Sequence, residues 1–475
     1  MLYEMQKKRT LFFPYLFFVI FKIITVFFYF FLDYSHNLEL FEGLAKYNIG
    51  DAHTYIEPYI NFTNGDDLDN VYRMPYYFIF YAIFSLFLNK SLSLSGVVIL
   101  QLILDIFSSI LLMNFAYKEY KSIKLTWVLC LLLAFSLHTS HYIISISPES
   151  LSYSFIIISF YCLYMFMKNK NNYYFIFSSF LFGYAVLLKP TYILFILPLI
   201  FTFYLLLKNY NFLFKIKHII KKGILYIIPF LIMIAPWTFR NYKTYGVFIL
   251  FYKYEACCFD LTLKAVDFIK IRGGDIIWHN YSAGNYFFNQ DNKTFKIPEF
   301  FLCKSCDLDK VKKVRNNFVK FYNGIDNSDS LVKTTTEDII NCNIAYKEER
   351  PLNYYLYSRL RLIKSFLIHS GSYFMSYSFS EVGVFLKIFK IIQSLIYYIA
   401  LFIGFPFLLF ISFKKTHFIP IASIPVILIL LYPVYFQLAE WRYFSLFFPF
   451  AILGFCIFLR SLYHLLKKLI SDKTN

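Results

Sequence analysis

The sequence has few charged residues for its length. Only 16% of its 475 residues are charged, whereas 59% are hydrophobic and the mean hydropathy is +0.54. A soluble domain of this size cannot bury so much apolar surface, which predicts a polytopic membrane protein. Acids are scarcer still, with 29 Asp and Glu against 47 Lys and Arg. Much of that excess lies in short loops between apolar runs, so we attribute it to membrane topology rather than to nucleic-acid binding.

Several motifs are also missing. There is no phosphate-binding P-loop, no glycine-rich dinucleotide motif and no nucleophile elbow, so nothing indicates the use of a soluble nucleotide. No internal repeat or low-complexity linker occurs. The basic segment Met1 to Thr10 precedes a long apolar run without a small-residue cleavage site, which resembles an uncleaved signal anchor. The 61 Phe and 43 Tyr are spread over the whole chain, which favours compositional bias and interfacial belts over an aromatic binding site.

Cysteine is sparse, with eight residues. Three lie in apolar runs and are expected to be small core residues: Cys130, Cys162 and Cys456. Five lie in the polar region after the seventh apolar run: Cys257, Cys258, Cys303, Cys306 and Cys342. The Cys303-x-x-Cys306 pair lacks a second pair or a histidine cluster that would complete a zinc site, so a disulfide is favoured. Because five is odd, either one thiol is left over or the compartment is not strongly oxidising.

Apolar runs long enough to cross a bilayer need about 20 residues. We count ten, near 10–32, 93–116, 124–140, 149–167, 173–189, 191–207, 221–237, 386–412, 417–435 and 443–462. Residues 75–88 are apolar but number only fourteen, a length typical of an interfacial helix. The predicted fold is therefore an all-α polytopic membrane bundle of about ten transmembrane helices. Interfacial helices and a small extracytoplasmic domain of mixed structure complete it.

Lysine-rich loops set the predicted orientation. If residues 75–88 do not cross the membrane, the lysine-rich loops and both termini all lie in the cytoplasm, which is the side that positively charged loops favour. These loops begin at Lys118, Lys168, Lys208, Lys414 and Lys467. The protein is then a multi-pass plasma (inner) membrane protein. Its predicted parts are an N-terminal transmembrane module 1–245 with an outer loop 33–92, an extracytoplasmic domain 246–385 and C-terminal helices 386–475. Within the outer domain, 352–380 is typical of an amphipathic helix on the membrane surface.

Charged motifs at the predicted outer ends of the spans are the functional candidates, because charge is costly there. The first is Gly50-Asp51-Ala52-x-x-Tyr55, followed by a helical stretch to Asn64 and by Arg73. Asp is a favoured N-cap residue, so Asp51 could simply cap that helix. A cap position also aims the carboxylate away from a fixed helix end, which a general base requires, so the two roles are compatible.

Two further candidates follow in the next outer segments. Glu149 follows Pro148 at the head of a span, which by itself is ordinary helix-start chemistry, but it emerges on the same predicted side as Asp51. The nearby His138 and His141 are expected to be hydrogen-bonded structural residues rather than metal ligands. Lys189, in the turn Lys189-Pro190-Thr191, either snorkels to the interface or contacts a phosphate.

The last two candidates are arginine motifs. Pro236-Trp237-x-x-Arg240-Asn241-Tyr242 ends the seventh span, where Trp and Tyr are expected but an Arg–Asn pair is less so. Arginine offers a planar fork that matches phosphate oxygens. In Glu440-Trp441-Arg442-Tyr443, Glu440 and Arg442 either form an ion pair that holds the loop or leave Arg442 to bind phosphate.

Taken in order, these motifs resemble the GT-C integral-membrane glycosyltransferases, specifically the family 39-like relatives of protein O-mannosyltransferases and aminoarabinose transferases. The resemblance runs from about residue 10 to 245 and returns at 437–460, whereas 250–380 matches no family that we recognise. It implies a polyprenyl-phosphate-linked sugar donor, undecaprenyl phosphate in a bacterium. It maps the catalytic acid onto Asp51, a supporting acid onto Glu149, and donor phosphate binding onto the basic residues Arg73, Lys189, Arg240 and Arg442.

The implied reaction is transfer of a hexosyl or pentosyl group to an acceptor hydroxyl at the extracytoplasmic face. Direct displacement would be inverting, with Asp51 as base and Tyr55, Trp237, Asn241, Glu440 and Tyr443 as further substrate contacts. The acceptor is a lipid, a glycan or a protein, and no nucleic acid is implied. No cofactor is certain, and a divalent metal is possible but not expected. One alternative is a transporter or lipid-sugar flippase, for which Asp105, the acid well inside a span, is the best single residue. Another is a polysaccharide polymerase or ligase.

Overall fold

Helices dominate the structure, a computed structural model that describes residues 2–35, 37–48, 52–64, 76–207, 209–250, 260–276, 282–291, 295–368 and 383–474. From the N-terminus the α-helices are α1 Leu2–Tyr34, α2 Ala52–Thr63, α3 Phe78–Ser85, α4 Lys90–Tyr120, α5 Ile123–Phe135, α6 Leu137–Ser140, α7 Pro148–Asn169, α8 Asn172–Leu188, α9 Ile196–Leu206 and α10 Phe212–Tyr245. They continue as α11 Asp260–Ile271, α12 Ala283–Phe288, α13 Leu308–Tyr322, α14 Asp329–Glu349, α15 Ser358–Leu367, α16 Val384–Ile399, α17 Phe405–Lys414, α18 Ile419–Ala422, α19 Ile424–Ile429 and α20 Phe447–Thr474. Strands β1 Phe41–Glu42 and β2 Ala45–Lys46 form an antiparallel hairpin.

Shorter helical turns join several of these helices. Turns of 3₁₀ helix occur at Leu38–Leu40, Pro190–Phe195, Glu299–Phe301, Thr416–Phe418 and Trp441–Phe444. Wider π-helical turns occur at Asn353–Tyr357, Ala400–Gly404 and Leu430–Phe436. The second of these joins α16 to α17 in one continuous apolar helix, and the third extends α19.

The predicted membrane class is confirmed. Among the described residues, seven helices are long and apolar enough to cross a bilayer: Leu11–Tyr34, Lys90–Tyr120, Pro148–Asn169, Phe212–Thr244, Val384–Lys414, Thr416–Phe436 and Phe447–Asp472. Three shorter apolar helices, Ile123–Phe135, Asn172–Leu188 and Pro190–Leu206, occupy the other three predicted positions. The apolar segment near 75–88 forms only the eight-residue α3, which at about 1.5 Å per residue is too short to span the membrane.

The chain divides into two compact units: residues 1–252, 370–425 and 445–475 form the first, and residues 253–369 and 426–444 the second. The predicted domain limits at 245 and 385 stay predictions. In the first unit, helix ends have local causes. Asn89, Ser122, Asn171 and Asn211 each cap the start of a helix through the side-chain oxygen, which accepts a backbone N–H.

Two glycines allow a very close helix contact in the first unit. A Cβ atom added at Gly404 would lie 2.0 Å from the carbonyl oxygen of Ala451, and one at Gly454 would lie 2.2 Å from that of Gly404. Small residues let helix backbones touch inside a membrane, where van der Waals contact rather than apolar burial drives association. We infer that both positions require glycine for α20 to pack on the helix containing Gly404.

One buried carboxylate holds together the ends of several helices in the first unit. Glu119, at the end of α4, forms ion pairs with Lys168 at 3.0 Å and with Lys415 and His417 at 3.1 Å, and it accepts a hydrogen bond from the Tyr164 hydroxyl at 2.8 Å. The C-terminal ends of α4, α7 and α17 therefore lie at the same end of the unit. The sequence predicted the three lysine-rich loops there to share one side of the membrane.

In the second unit, the described part is helical, and this corrects the expectation of mixed structure. Outside the helices its only extended pairing among described residues is a bridge between Cys303 and Cys306. Its core is apolar and aromatic, and the fully buried Arg272 lies at its centre, 3.7 Å from the Phe268 ring centroid. Arg272 donates to three backbone carbonyls and to the side chain of Asn343, which satisfies its planar fork without a carboxylate.

The disulfide of the second unit joins Cys306 to Cys342, while Cys303 is a buried free thiol. The sequence favoured a disulfide in this region but pointed to the neighbouring pair. Cys257 and Cys258 lie outside the described residues. The predicted amphipathic helix 352–380 is present as Asn353–Tyr357 and α15, where Leu362 and Phe366 are buried and Leu360 is exposed. Its remainder, 369–380, lies outside the described residues.

Candidate functional site

Asp51 and Arg73 lie outside the described residues, so the structure does not place their side chains. The elements beside them in sequence are described. The hairpin β1–β2 ends five residues before Asp51, and α2 begins at the next residue, Ala52. Tyr55 lies in the first turn of α2, and its ring centroid is 5.4 Å from that of Tyr77.

Glu149 and Lys189, which the sequence presented as separate candidates, form an ion pair. The Lys189 Nζ lies 3.0 Å from Glu149 Oε1, and the two side chains are only 8% and 2% exposed. Glu149 occupies the first turn of α7, where the helix dipole favours a negative charge, and Lys189 caps the end of α8. The cation and the acid therefore form one buried polar centre at this end of the first unit.

The segment that precedes Glu149, residues 141–147, is hereafter called the strap. Helix α5, before it, has only 13 residues, or about 20 Å, so the chain stops short of a full crossing of about 30 Å. Non-helical backbone N–H and C=O groups at membrane depth need hydrogen-bond partners within the protein, because the lipid offers none. Gln393 does this at the break between α5 and α6, because its amide accepts from Leu137 N at 3.0 Å and donates to Phe135 O at 2.8 Å.

His138, before the strap, and His141, its first residue, are both hydrogen-bonded, as expected. His138 Nε2 lies 3.1 Å from the Gln393 carbonyl oxygen, and His141 Nδ1 lies 2.5 Å from the Tyr29 hydroxyl. Burial, followed by the nearby charge of Lys46, lowers the pKa of His141 to about 3. The imidazole is thus neutral near pH 7.

Lys46 links the hairpin to both the strap and α1. Its backbone N–H donates to Ile144 O at 2.8 Å, and its carbonyl accepts from Ile146 N at 3.3 Å, so the strap runs beside β2 like a third strand. Its ammonium lies 2.6 Å from Asp33 Oδ2 near the end of α1, in a second buried ion pair. The segments that lead to Asp51 and to Glu149 are therefore hydrogen-bonded to each other.

Trp237, Arg240 and Asn241 lie on the last turns of α10, which continues to Tyr245, beyond the end of the predicted apolar span near 237. Arg240 lies over the Trp237 ring at 4.9 Å and donates to Asn241 Oδ1 at 3.0 Å. Helices α8 and α10 run in parallel, because Ser179 contacts Tyr226 and Gly183 faces Phe230. This register puts Trp237 level with Lys189.

Glu440, Arg442 and Tyr443 belong to the second unit. Arg442 Nε lies 2.6 Å from Glu440 Oε1, and its Nη2 donates to the Tyr443 hydroxyl at 3.1 Å. The Tyr443 ring stacks on Tyr432 with centroids 4.3 Å apart. The Glu440–Arg442 ion pair that the sequence offered as one alternative is present, and phosphate binding by Arg442 stays a prediction.

Sequence reasoning missed several polar residues of this region. Lys22 pairs with Asp105 at 3.1 Å and donates to Thr139 Oγ1 at 2.9 Å, so the acid that best suited a transporter has a buried cationic partner. Asp33 and Lys46 were also overlooked. The rule that flagged Glu149, charge at the end of an apolar run, applies equally to Asp33, and Lys22 is a charge within an apolar run. Gln101 and Tyr77 gave no comparable signal.

A small, largely apolar groove lies in the first unit, about halfway along α7. It is lined by Ile156, Ser159, Phe160, Leu163, Phe182, Phe195, Leu199, Tyr226, Pro420, Ile421 and Ile424. Its polar wall is internally satisfied, since the hydroxyls of Ser159, Ser178 and Tyr226 bond to one another at 3.0 to 3.4 Å. The groove therefore offers an apolar ligand a surface without unpaired polar groups.

Comparison with known families agrees with the resemblance read from the motifs. Residues 74–239 match the family model described as dolichyl-phosphate-mannose-protein mannosyltransferase. The match includes Glu149, Lys189 and Trp237; it begins after Asp51 and ends before Arg240. No curated protein matches the chain. The family match supports a GT-C family membrane glycosyltransferase that uses a polyprenyl-phosphate-linked sugar donor.

Proposed function

We propose that the protein is a GT-C glycosyltransferase that transfers a hexosyl or pentosyl group to an acceptor hydroxyl at the extracytoplasmic membrane face. The observation that carries the proposal is the buried Glu149–Lys189 pair, level with Trp237 on α10. An acid and a cation that are both shielded from water, at the end of an apolar bundle, suit a substrate with a charged head and a lipid tail.

The proposed chemistry is a direct displacement at the anomeric carbon. The acceptor oxygen forms a bond to that carbon as the bond from the carbon to the phosphate oxygen breaks, so the configuration inverts. Asp51 takes the proton of the acceptor hydroxyl. The donor is a phosphodiester, and the departing polyprenyl phosphate gains a second negative charge.

Stabilisation of that developing charge is assigned to fixed cations. Lys189 is buried and pre-positioned by Glu149, and Arg73, Arg240 and Arg442 are the further candidates. In a site of low dielectric such groups lower the barrier without reorganising. Because these side chains supply the positive charge, we propose that transfer needs no divalent metal and that a chelator leaves the rate of transfer unchanged.

We assign the isoprenoid tail of the donor to the groove beside Ile156. The lining is apolar apart from the satisfied hydroxyls of Ser159 and Tyr226. Each methylene moved out of water into such a surface contributes about 0.8 kcal/mol, so a long tail would bind more tightly than a short one. The tail thereby anchors the donor while its phosphate reaches the polar end of the unit.

The test is an assay of the purified protein with labelled polyprenyl-phosphate sugars, comparing wild type with Asp51→Asn. The expected result is loss of transfer by at least about 100-fold, since the base is removed while its shape is kept. Glu57→Gln is the matched control, because Glu57 is a half-exposed acid on the neighbouring α2. Retained transfer in Asp51→Asn refutes the base assignment. Movement of the donor between leaflets without any sugar transfer by the wild type refutes the enzyme and favours the flippase.

A further inference from the structure

Gln101 holds the strap through its backbone. Its amide nitrogen donates to Ile143 O at 2.8 Å and to Ser145 O at 3.1 Å, and its side chain is fully buried within α4. These two carbonyls are separated by one residue and face the same side of the strap, as in a strand. This one amide therefore holds the strap on the α4 side, in addition to the two backbone hydrogen bonds between the strap and Lys46.

Tyr77 connects Gln101 to the start of α7. Its hydroxyl donates to Gln101 Oε1 at 3.2 Å and accepts from the backbone N–H of Ser147, the N-cap residue of α7. Glu149 lies two residues further along. The Tyr77 ring also contacts Tyr55 on α2, the helix that begins directly after Asp51. Tyr77 is 2% exposed and therefore has little freedom to move.

We propose that Gln101 and Tyr77 are positioning residues that set the placement of α2, which begins at Ala52, relative to the strap that leads to Glu149. They act through hydrogen bonds and ring packing, without touching substrate. This inference rests on the proposed function, because its main consequence is a change in catalytic rate. A misplacement of about 1 Å in a reacting group can lower a rate about 100-fold even when binding persists.

The experiment compares Gln101→Met, Tyr77→Phe and the double variant with wild type in the transfer assay. Gln101→Met removes all three hydrogen bonds at nearly constant volume, and Tyr77→Phe removes only the hydroxyl. Each single variant is expected to lower kcat about 10- to 100-fold while the KM for donor changes less than about threefold. The double variant is expected to match the more impaired single variant, because both residues act on the same strap.

Two controls separate positioning from general damage. Tyr81→Phe removes a buried tyrosine hydroxyl on α3, and Ser93→Ala removes a buried hydroxyl on α4; both are expected to keep wild-type kcat. Hydrogen–deuterium exchange of strap amides provides a readout that needs no activity, and exchange is expected to accelerate in Gln101→Met.

The possible outcomes are distinct. If the wild type transfers no sugar, the proposed function fails. Unchanged hydrogen–deuterium exchange of the strap amides in Gln101→Met would by itself overturn the role of Gln101 in holding the strap. If the wild type is active, wild-type kcat in both variants overturns the proposal. The proposal is also overturned if kcat falls only in proportion to the loss of thermal stability and the control variants lose as much kcat.

Discussion

Lysine–carboxylate pairs account for the buried charges at the candidate site. Lys46 pairs with Asp33, Lys189 with Glu149, and deeper in the bundle Lys22 pairs with Asp105. An isolated charge in an apolar interior is very costly, and a close partner offsets much of that cost. Breaking such a pair on one side is therefore more damaging than removing both charges together.

Lys189 gives the sharpest test of this asymmetry. Lys189→Met leaves the Glu149 carboxylate buried without this cation, and we expect a loss of about 3 to 5 kcal/mol of stability together with loss of transfer. In Lys189→Met/Glu149→Gln, both charges are absent, so thermal stability in detergent is expected to recover while transfer does not. Recovery of transfer in the double variant would show that neither charge takes part in catalysis.

The buried His141 leads us to expect that folding stability falls at acidic pH. Its pKa is lowered from 6.5 to about 3 in the folded protein, so the unfolded chain binds a proton first as pH falls. The stability from the neutral ring is complete above pH 6.5 and is lost as pH falls toward 3, at up to about 1.4 kcal/mol per pH unit. His138, whose pKa burial lowers to about 4, has the same sign.

Melting temperatures measured from pH 7 to pH 4 test the histidine effect. His141→Gln removes the titrating group while retaining a polar side chain near Tyr29. We expect its melting temperature to fall less steeply with acidification than that of the wild type. Equal slopes would mean that His141 is not neutral and buried.

At the scale of elements, the site depends on segments that are not membrane helices. The side-chain amides of Gln101 and Gln393 bond to the backbone of the strap and of the start of α6, and in the hairpin β1–β2 the Leu44 N–H donates to Ser95 Oγ. Because these amides come from α4 and α16, distant elements fix the irregular backbone. A site built this way is more rigid than its loop-like sequence implies.

The groove beside α7 predicts a chain-length effect at this same scale. Ile156→Trp places a larger ring in the lining, so a long isoprenoid tail loses contact surface. We expect the KM for a long-chain donor to rise about tenfold, equivalent to about two methylenes, while a donor with a short chain is unaffected. Ile103→Trp is the control because Ile103 is 56% exposed on the outside of α4. An equal effect on both donors would show that the tail lies elsewhere.

At the scale of the whole molecule, two polar clusters at opposite ends of the first unit bear on membrane topology. The ends of α4, α7 and α17 meet at Glu119, whereas the start of α7 and the ends of α1 and α8 form the candidate site at the other end. We expect the lysine-rich ends to lie in the cytoplasm, by the positive-inside tendency. The candidate site would then face outward, which the proposed function requires.

Cysteine labelling tests this orientation. Lys121 follows α4 and Lys243 lies near the end of α10, and both are exposed. In a background without other accessible cysteines, a membrane-impermeant maleimide is expected to label Lys243→Cys in intact cells and Lys121→Cys only after permeabilisation. Labelling of both positions in intact cells would put the two loops on one face and remove the basis of the proposed reaction.

The sequence by itself determined the membrane class, the positions of the spans and the family resemblance. Spans are recognisable locally, because a bilayer requires a long apolar run whatever its neighbours are. Lys189 and Glu149 could likewise be chosen from the sequence, since a charge beside an apolar run is unusual wherever it occurs. Helix α10 continues past the apolar span near 221–237, because the apolar run alone does not fix where a helix ends.

Only the tertiary structure decided which charges meet. The pairing of Glu149 with Lys189 and of Asp33 with Lys46 depends on how separate helices pack, and no local pattern encodes a partner forty or more residues away, as Lys189 is from Glu149. The same holds for Gln101, an ordinary polar residue within an apolar helix until the strap is placed against it. Hydrophobicity acts locally along the chain, whereas ion pairs and hydrogen bonds require a short distance in space.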